Sequence, residues 1–174
     1  AVGMATRILP HNFREVLAAQ IRLLGGHETR LLPDFPTGGI VDTSEYDDGR
    51  GRLRVRARLE TTADNTIVIR EIPHGTTTES LIASVEAAAQ KGKVQLSSIT
   101  DFTTDRVEIE IGLPRGVAAA EVIPQLYAHT DCEVSVSSNL LVIRDRRPVE
   151  MTTSEVLRFL TDQLLDQVRR ELEH

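Results

Sequence analysis

One cysteine, no tryptophan and aromatic residues at only 3% mark this 174-residue sequence, and each shortage closes off a class of function. Cys132 has no partner for an intrachain disulfide, and His129 is the only soft ligand near it, whereas structural zinc takes four. A buried structural thiol is the expectation, because free cysteine is among the most buried residue types. Few aromatics leave little to stack on single-stranded bases. No apolar run approaches the roughly 20 residues of a membrane-spanning helix and no signal-like start is present, so the reading is a cytoplasmic protein without a membrane. A glycine-rich phosphate loop followed by lysine is missing, and Gly38-Gly39 reads as loop punctuation. The serines and threonines at 76–78 and 135–138 have no histidine and aspartate spaced as a triad, and read as turn and cap residues. No residues assemble a catalytic or metal site by themselves.

What is present is an ordinary globular composition, 40% apolar and 26% charged, with a formal net charge of −6. That balance excludes an all-over basic nucleic-acid binder but not a local basic patch. Asn12 with Glu15 opens a helix whose apolar stripe runs Phe13, Val16, Leu17, Ile21, Leu24 and which Gly25-Gly26 ends. Thr76 with Glu79 predicts a second helix, buried through Leu81, Ile82, Val85, Ala88 and Ala89 and closed near Gly92. A third helix is expected at 118–128, where Pro124 is tolerable only near the first turn. Thr152 with Glu155 caps a fourth, whose stripe Leu157, Leu160, Leu164, Val168, Leu172 meets no stop signal, which predicts continuation in a longer protein.

Strands are expected at 66–72, at VQLSSI, at 105–113 and around 137–139, with a turn at 145–148. The sum is an α+β fold: a mainly antiparallel sheet with helices packed on one face, a two-layer sandwich with N- and C-terminal helices.

The segment GRGRLRVRARLE, residues 49–60, concentrates the basic charge. Arg50, Arg52, Arg54, Arg56 and Arg58 occupy every second position, so one strand would put all five on one face and Leu53, Val55, Ala57 and Leu59 on the other. Two readings stay open: a cationic face for a polyanion, or an acidic interaction module whose arginines neutralise Glu108 and Glu110 across a sheet.

In order along the chain, AVGMATRILPHN, LLPDFPTGG, YDDGRGRLRVRARLE, IVIREIPHG, LPRGV, LYAHTDCEVSVSSNLLVI and RPVEMTTSEVL resemble the DNA-cleaving A subunit of bacterial type IIA topoisomerases, the family of DNA gyrase and topoisomerase IV. Leu9 and Leu32 stand where that family commonly has proline and glycine. The resemblance implies residues 1–12 as the tail of a winged-helix domain, 13–150 as the tower domain and 151–174 as the start of a coiled-coil helix. It implies an ATP-dependent double-strand passage enzyme, nucleoid-associated, in which this piece positions and bends the gate duplex. Implied partners are double-stranded DNA, the B subunit and a second copy of the DNA-cleaving subunit, with Mg²⁺ and ATP held by the B subunit and no cofactor here.

The family's nucleophilic tyrosine lies upstream of the VGMAT segment, which leaves no catalytic residue in this chain and a piece inactive alone. Tyr46 and Tyr127, in a pre-strand turn and on a helix, match no catalytic motif and read as structural. Ile8 aligns with the isoleucine that wedges between base pairs, with Arg7 and His11 as neighbouring DNA-binding candidates. Arg50, Arg52 and Arg54 are the candidates for phosphate contact.

Overall fold

A computed structural model describes residues 5–173; the AVGM start and His174 lie outside the described residues. The helices are α1 (Phe13–Leu24), α2 (Thr78–Gln90), α3 (Ala119–His129) and α4 (Thr153–Leu172). The strands are β1 (Ile40–Asp42), β2 (Arg52–Arg56), β3 (Arg58–Thr61), β4 (Ile67–Glu71), β5 (Ser98–Asp101), β6 (Ile109–Gly112), β7 (Glu133–Ser137), β8 (Leu141–Arg144) and β9 (Arg147–Glu150). They fall into two compact units. The first holds residues up to Asp34, Ser44–Arg52 and residues from Ser137 onward; the second holds Phe35–Thr43 and Leu53–Val136. No helix among the described residues is long and apolar enough to cross a membrane.

The second unit is the two-layer part. Its four-stranded sheet has the order β3-β4-β6-β5, antiparallel throughout. Alternation turns Ile67, Ile69, Ile109 and Ile111 to one face, where Leu81, Val85 and Ala88 of α2 and Val122 and Leu126 of α3 close the core. The opposite face carries Glu60, Arg70 and Glu108, with Arg70 between the two carboxylates at 2.9 and 3.4 Å. α3 begins without a cap of its own. Asn65, at the β3–β4 turn with φ 54°, supplies one: its side chain accepts from the Ala119 N–H (3.1 Å) and donates to the Val117 carbonyl (2.7 Å).

The α+β class holds, but the strands form three sheets of three, four and two strands rather than one. The arginine strand accounts for the difference. It breaks at Ala57, whose N–H donates to the Cys132 carbonyl (2.7 Å); β2 joins the sheet β1-β2-β7 and β3 starts the four-stranded one. A register shift between Arg58 and Leu59 accompanies the switch.

The second helix starts one residue later than the Thr76/Glu79 pattern predicts, with Thr77 and Ser80 forming the reciprocal cap. Thr76 is already spent: its hydroxyl donates to the Pro73 carbonyl at 2.7 Å in the turn that Gly75 makes. The VQLSSI strand also shifts, to Ser98–Asp101. Pro124 lies inside α3 beyond the first turn; burial of Val122 and Leu126 on either side outweighs the lost hydrogen bond.

In the first unit α1 and α4 pack together around Ala19, Leu31 and Leu157. Asn12 caps α1 through the N–H groups of Arg14 and Glu15, and Thr152 and Glu155 form the expected reciprocal cap of α4. Apart from half-buried Val16, the rest of both apolar stripes is exposed, Phe13 and Ile21 on α1 and Leu160, Leu164 and Leu172 on α4 among them. Helical periodicity reports which face is apolar; it does not report what covers it.

Candidate nucleic-acid interface

Along Arg50–Arg58 the five arginines are exposed, while Leu53, Val55 and Ala57 are fully buried. The alternation predicted for one strand therefore survives its division into two. Glu108 and Glu110 are not the arginines' partners. β1 is the neighbour of β2, and its register sets Asp42 opposite Arg54, 2.9 Å from it. Glu133 of β7 meets Arg56, and Glu71, opposite Arg58 across β3–β4, meets that side chain at 3.0 Å. Glu110 belongs to β6, which lies beyond β4, and Glu108, just before β6, is engaged by Arg70. In the first unit Arg52 pairs with Glu45 at 2.6 Å. Arg50 alone of the five has no ion pair among the described residues. Such exposed pairs are worth ~0–1 kcal/mol each, so a phosphate can displace the carboxylates at small cost.

A short 3₁₀ turn, Asp47–Gly49, delivers Arg50 and Arg52, and it is anchored at four points within the first unit. Tyr46 is buried, its hydroxyl 2.7 Å from the Thr153 Oγ1, and burial raises its pKa above the usual phenol value. The Asp48 carboxylate accepts from the Ser154 N–H (3.2 Å) and hydroxyl (2.9 Å) at the start of α4, where the helix dipole favours negative charge. Ser138 donates to the Gly49 carbonyl at 2.7 Å, and the Arg52 N–H donates to Glu45 at 2.9 Å. The YDDG run signals this turn in the sequence, but nothing in it names Thr153, Ser154 or Ser138 as partners.

Ile8 is the second feature of the first unit. It is 68% exposed, whereas Leu9 beside it is buried. The segment is tied at both ends. Arg7 exchanges backbone hydrogen bonds with Asn139 (2.8 and 2.9 Å), and the Asn139 side chain donates to the Ala5 carbonyl at 2.7 Å. After Ile8, the Asp34 N–H donates to Pro10 (2.9 Å) and Asn12 reaches Asp34 at 3.2 Å. His11 lies 2.8 Å from the Leu9 carbonyl through Nδ1; its Nε2 is buried without a partner, and desolvation lowers its pKa. Arg7 is exposed, whereas His11 faces inward beside Val16 and Leu140 and holds the turn. Asn139 is the positioning residue that the sequence pattern did not single out.

In the second unit the Gly39 N–H donates to the Glu71 carboxylate at 2.7 Å, and Arg58 shares it. Gly38 and Gly39 are a turn, with φ of 76° and 98°. The Gly39 bond first and Arg58 second hold the Glu71 carboxyl below its ordinary 4.5. A depressed carboxylate stabilises the fold above its unfolded pKa and loses that contribution as pH falls through the folded one. Glu71→Gln should therefore lower the melting temperature near neutrality and converge on the parent as pH falls below about 4.5, which flattens the acid limb. An unaltered acid limb in a pH series of thermal melts would exclude this role.

Tyr127 donates to the Ala57 carbonyl at 3.1 Å and lies under the Arg56 guanidinium, 4.7 Å from its ring centre. Cys132 is fully buried, and desolvation pushes its thiol up to about 11. Among the described residues no group of three or more His, Cys, Asp or Glu could hold a metal ion.

The whole chain, residues 1–174, matches the family model for the A subunit of DNA gyrase/topoisomerase IV. It is 52% identical over 173 residues to the A subunit of DNA topoisomerase 4 from Borreliella burgdorferi, covering 99% of this chain and 28% of that one. Over 194 residues it is 34% identical to the DNA gyrase A subunit of Mycobacterium tuberculosis and 30% identical to that of Brachyspira hyodysenteriae, in each case over 23% of the relative. The alignments take in 98% and 100% of this chain. The chain thus spans well under a third of the length of these relatives.

Proposed function

The chain belongs to the family of DNA gyrase and topoisomerase IV A subunits, and from that premise we propose that it is the tower domain, which positions and bends the duplex the enzyme cuts. The observation that carries this reading is the run of arginines: in the second unit exposed Arg54, Arg56 and Arg58 backed by fully buried Leu53, Val55 and Ala57, and in the first unit exposed Arg50 and Arg52. Guanidinium groups meet phosphate oxygens in pairs and position DNA without reading its sequence. Ile8, exposed between two tied ends, has the character of an apolar wedge that unstacks a base step. The partners of this reading are double-stranded DNA, the B subunit and a second copy of the DNA-cleaving subunit; Mg²⁺ and ATP belong to the B subunit. This chain contributes no catalytic residue to the ATP-dependent passage reaction. It supplies grip and shape.

The carboxylates beside Arg52, Arg54, Arg56 and Arg58 favour the second reading, an interaction module without DNA contact. Arg50→Gln with Arg52→Gln separates the two. Binding of this chain to an end-labelled duplex, followed by anisotropy over a salt series, should lose about 0.9 of a log unit of slope per phosphate contact removed, or about 1.8 for both. Stability should stay within about 0.5 kcal/mol of the parent, because both side chains are exposed. A parent chain that fails to bind duplex even at low salt, or an unchanged slope with a fallen melting temperature, would establish the module.

A further inference from the structure

β8 and β9 form a two-stranded ribbon that no other strand among the described residues joins. Asp145-Arg146 closes it, both residues in the left-handed region with φ of 50° and 62°. That is the geometry of the two-residue hairpin turn in which Asp-Gly or Asn-Gly sits at least cost, and an arginine in it is strained. The register pairs Arg144 with Arg147, Ile143 with Pro148 and Val142 with Val149. Alternation then gives the ribbon two unlike faces. Val142, Arg144, Arg147 and Val149 share one, which turns toward α4: the Arg144 guanidinium lies 5.9 Å from the Phe159 ring centre. Ile143 and Pro148 share the other, which is open, with Ile143 76% exposed and every residue of β9 exposed.

The charge at the tip is as open as the apolar pair. Arg146 and Arg147 have no ion pair among the described residues, and Arg144 has only its neighbour Asp145, at 4.0 Å. The carboxylates Glu150, Glu155 and Asp162 line the groove at the ribbon's base together with Arg144, which leaves Arg146 and Arg147 as the cationic tip. An apolar protein partner would satisfy Ile143 and Pro148 but not the two guanidinium groups at the tip, Arg146 and Arg147. A duplex satisfies both, because phosphates border stacked bases. β-Ribbons do enter DNA grooves, and minor-groove binders combine arginine contacts with apolar wedges.

We propose that the β8–β9 ribbon is a second duplex-contacting element of this chain, with Arg146 and Arg147 at the tip on phosphates and Ile143 with Pro148, on the open face, against the adjoining base step. The inference rests on the reading that the chain binds duplex DNA. It is independent of the arginine row and of Ile8.

Arg146→Gly is the sharpest test, since it replaces a strained residue by the one the turn prefers. In this chain it should hold or raise the melting temperature while lowering the salt slope of duplex binding by about 0.9. Arg146→Gln with Arg147→Gln should lower the slope by about 1.8. Ile143→Ser should keep the slope, weaken binding and reduce bending of a duplex labelled at both ends for energy transfer. If the parent binds but the arginine variants keep its slope, the ribbon is not a contact, although the arginine row can still be one. If bending survives Ile143→Ser, the wedge is wrong. A parent chain that binds no duplex removes both this inference and the reading beneath it.

Discussion

Gly51→Ala should lower the melting temperature of this chain by about 10 °C or more, a loss of at least about 3 kcal/mol. A Cβ at position 51 would overlap the Glu45 carbonyl oxygen and stand 2.9 and 3.0 Å from the carbonyl carbons of Glu45 and Tyr46. These are backbone atoms, so no side-chain rotation relieves them. The Glu45 carbonyl also accepts from the Arg52 N–H, and the Gly51 N–H itself donates to Tyr46 at 2.9 Å, so relief of the overlap breaks the closure of the loop. Gly116 is the control. It has a φ of 83° and open space around it, and alanine there should cost only ~1–2 kcal/mol through backbone conformation. Comparable melting temperatures for the two variants would mean that the Glu45–Arg52 loop is slack. Where Gly51→Ala is partly folded, its duplex affinity should fall with its stability, because Arg50 and Arg52 hang from the same closure.

What the sequence made legible in this fold is what local rules determine. The alternation over residues 50–58, the caps at Asn12 and Thr152 and the glycine turns at 25–26, 38–39 and 92 depend on residues within a few positions of each other, and the structure has them as expected. The break at Ala57 was not legible, because a strand that changes sheets keeps its period of two while its neighbours change. The arginines' acidic partners follow from that same partition: Asp42 and Glu71 are assigned by strand order, which the pattern of side chains does not encode. Asn65 is a cap delivered to α3 from a turn more than 50 residues earlier, and Tyr46 and Asp48 are anchored to α4 from more than 100 residues away. Such contacts leave no periodic trace. At the candidate site, the arginine row was visible as chemistry, Ile8 only through the resemblance, and the open face of β8–β9 not at all. LLVIRDRRPV announces a turn; that Ile143 faces outward depends on which side of the ribbon α4 takes.

Ile111→Ala should accelerate chemical labelling of Cys132 by about 10²-fold or more, and the single thiol makes the readout specific to the second unit. Ile111 is fully buried, paired with Ile67 on β4 and Ile99 on β5 at the centre of the sheet. Truncating such a side chain removes its transfer free energy and leaves a cavity, together about 2–5 kcal/mol. Cys132 belongs to the same core; it is fully buried and its thiol is pushed up to about 11, so at pH 8 neither access nor thiolate is available in the closed state. Labelling then waits for the core to open. With fast reclosing its rate follows the opening equilibrium, which about 3 kcal/mol shifts by roughly two orders of magnitude. The competing route is local: the Cys132 N–H donates to the Thr130 Oγ1 and the Asp131 N–H to the Ser84 Oγ, and release of these two bonds alone could bare the thiol. The two routes predict different responses. Opening of the core couples labelling to the melting temperature across Ile111→Ala and other sheet variants such as Ile69→Ala. Local release leaves the labelling rate at the parent value while the melting temperature falls, and that result would show Cys132 to be a reporter of its own turn and not of the sheet that carries Arg58.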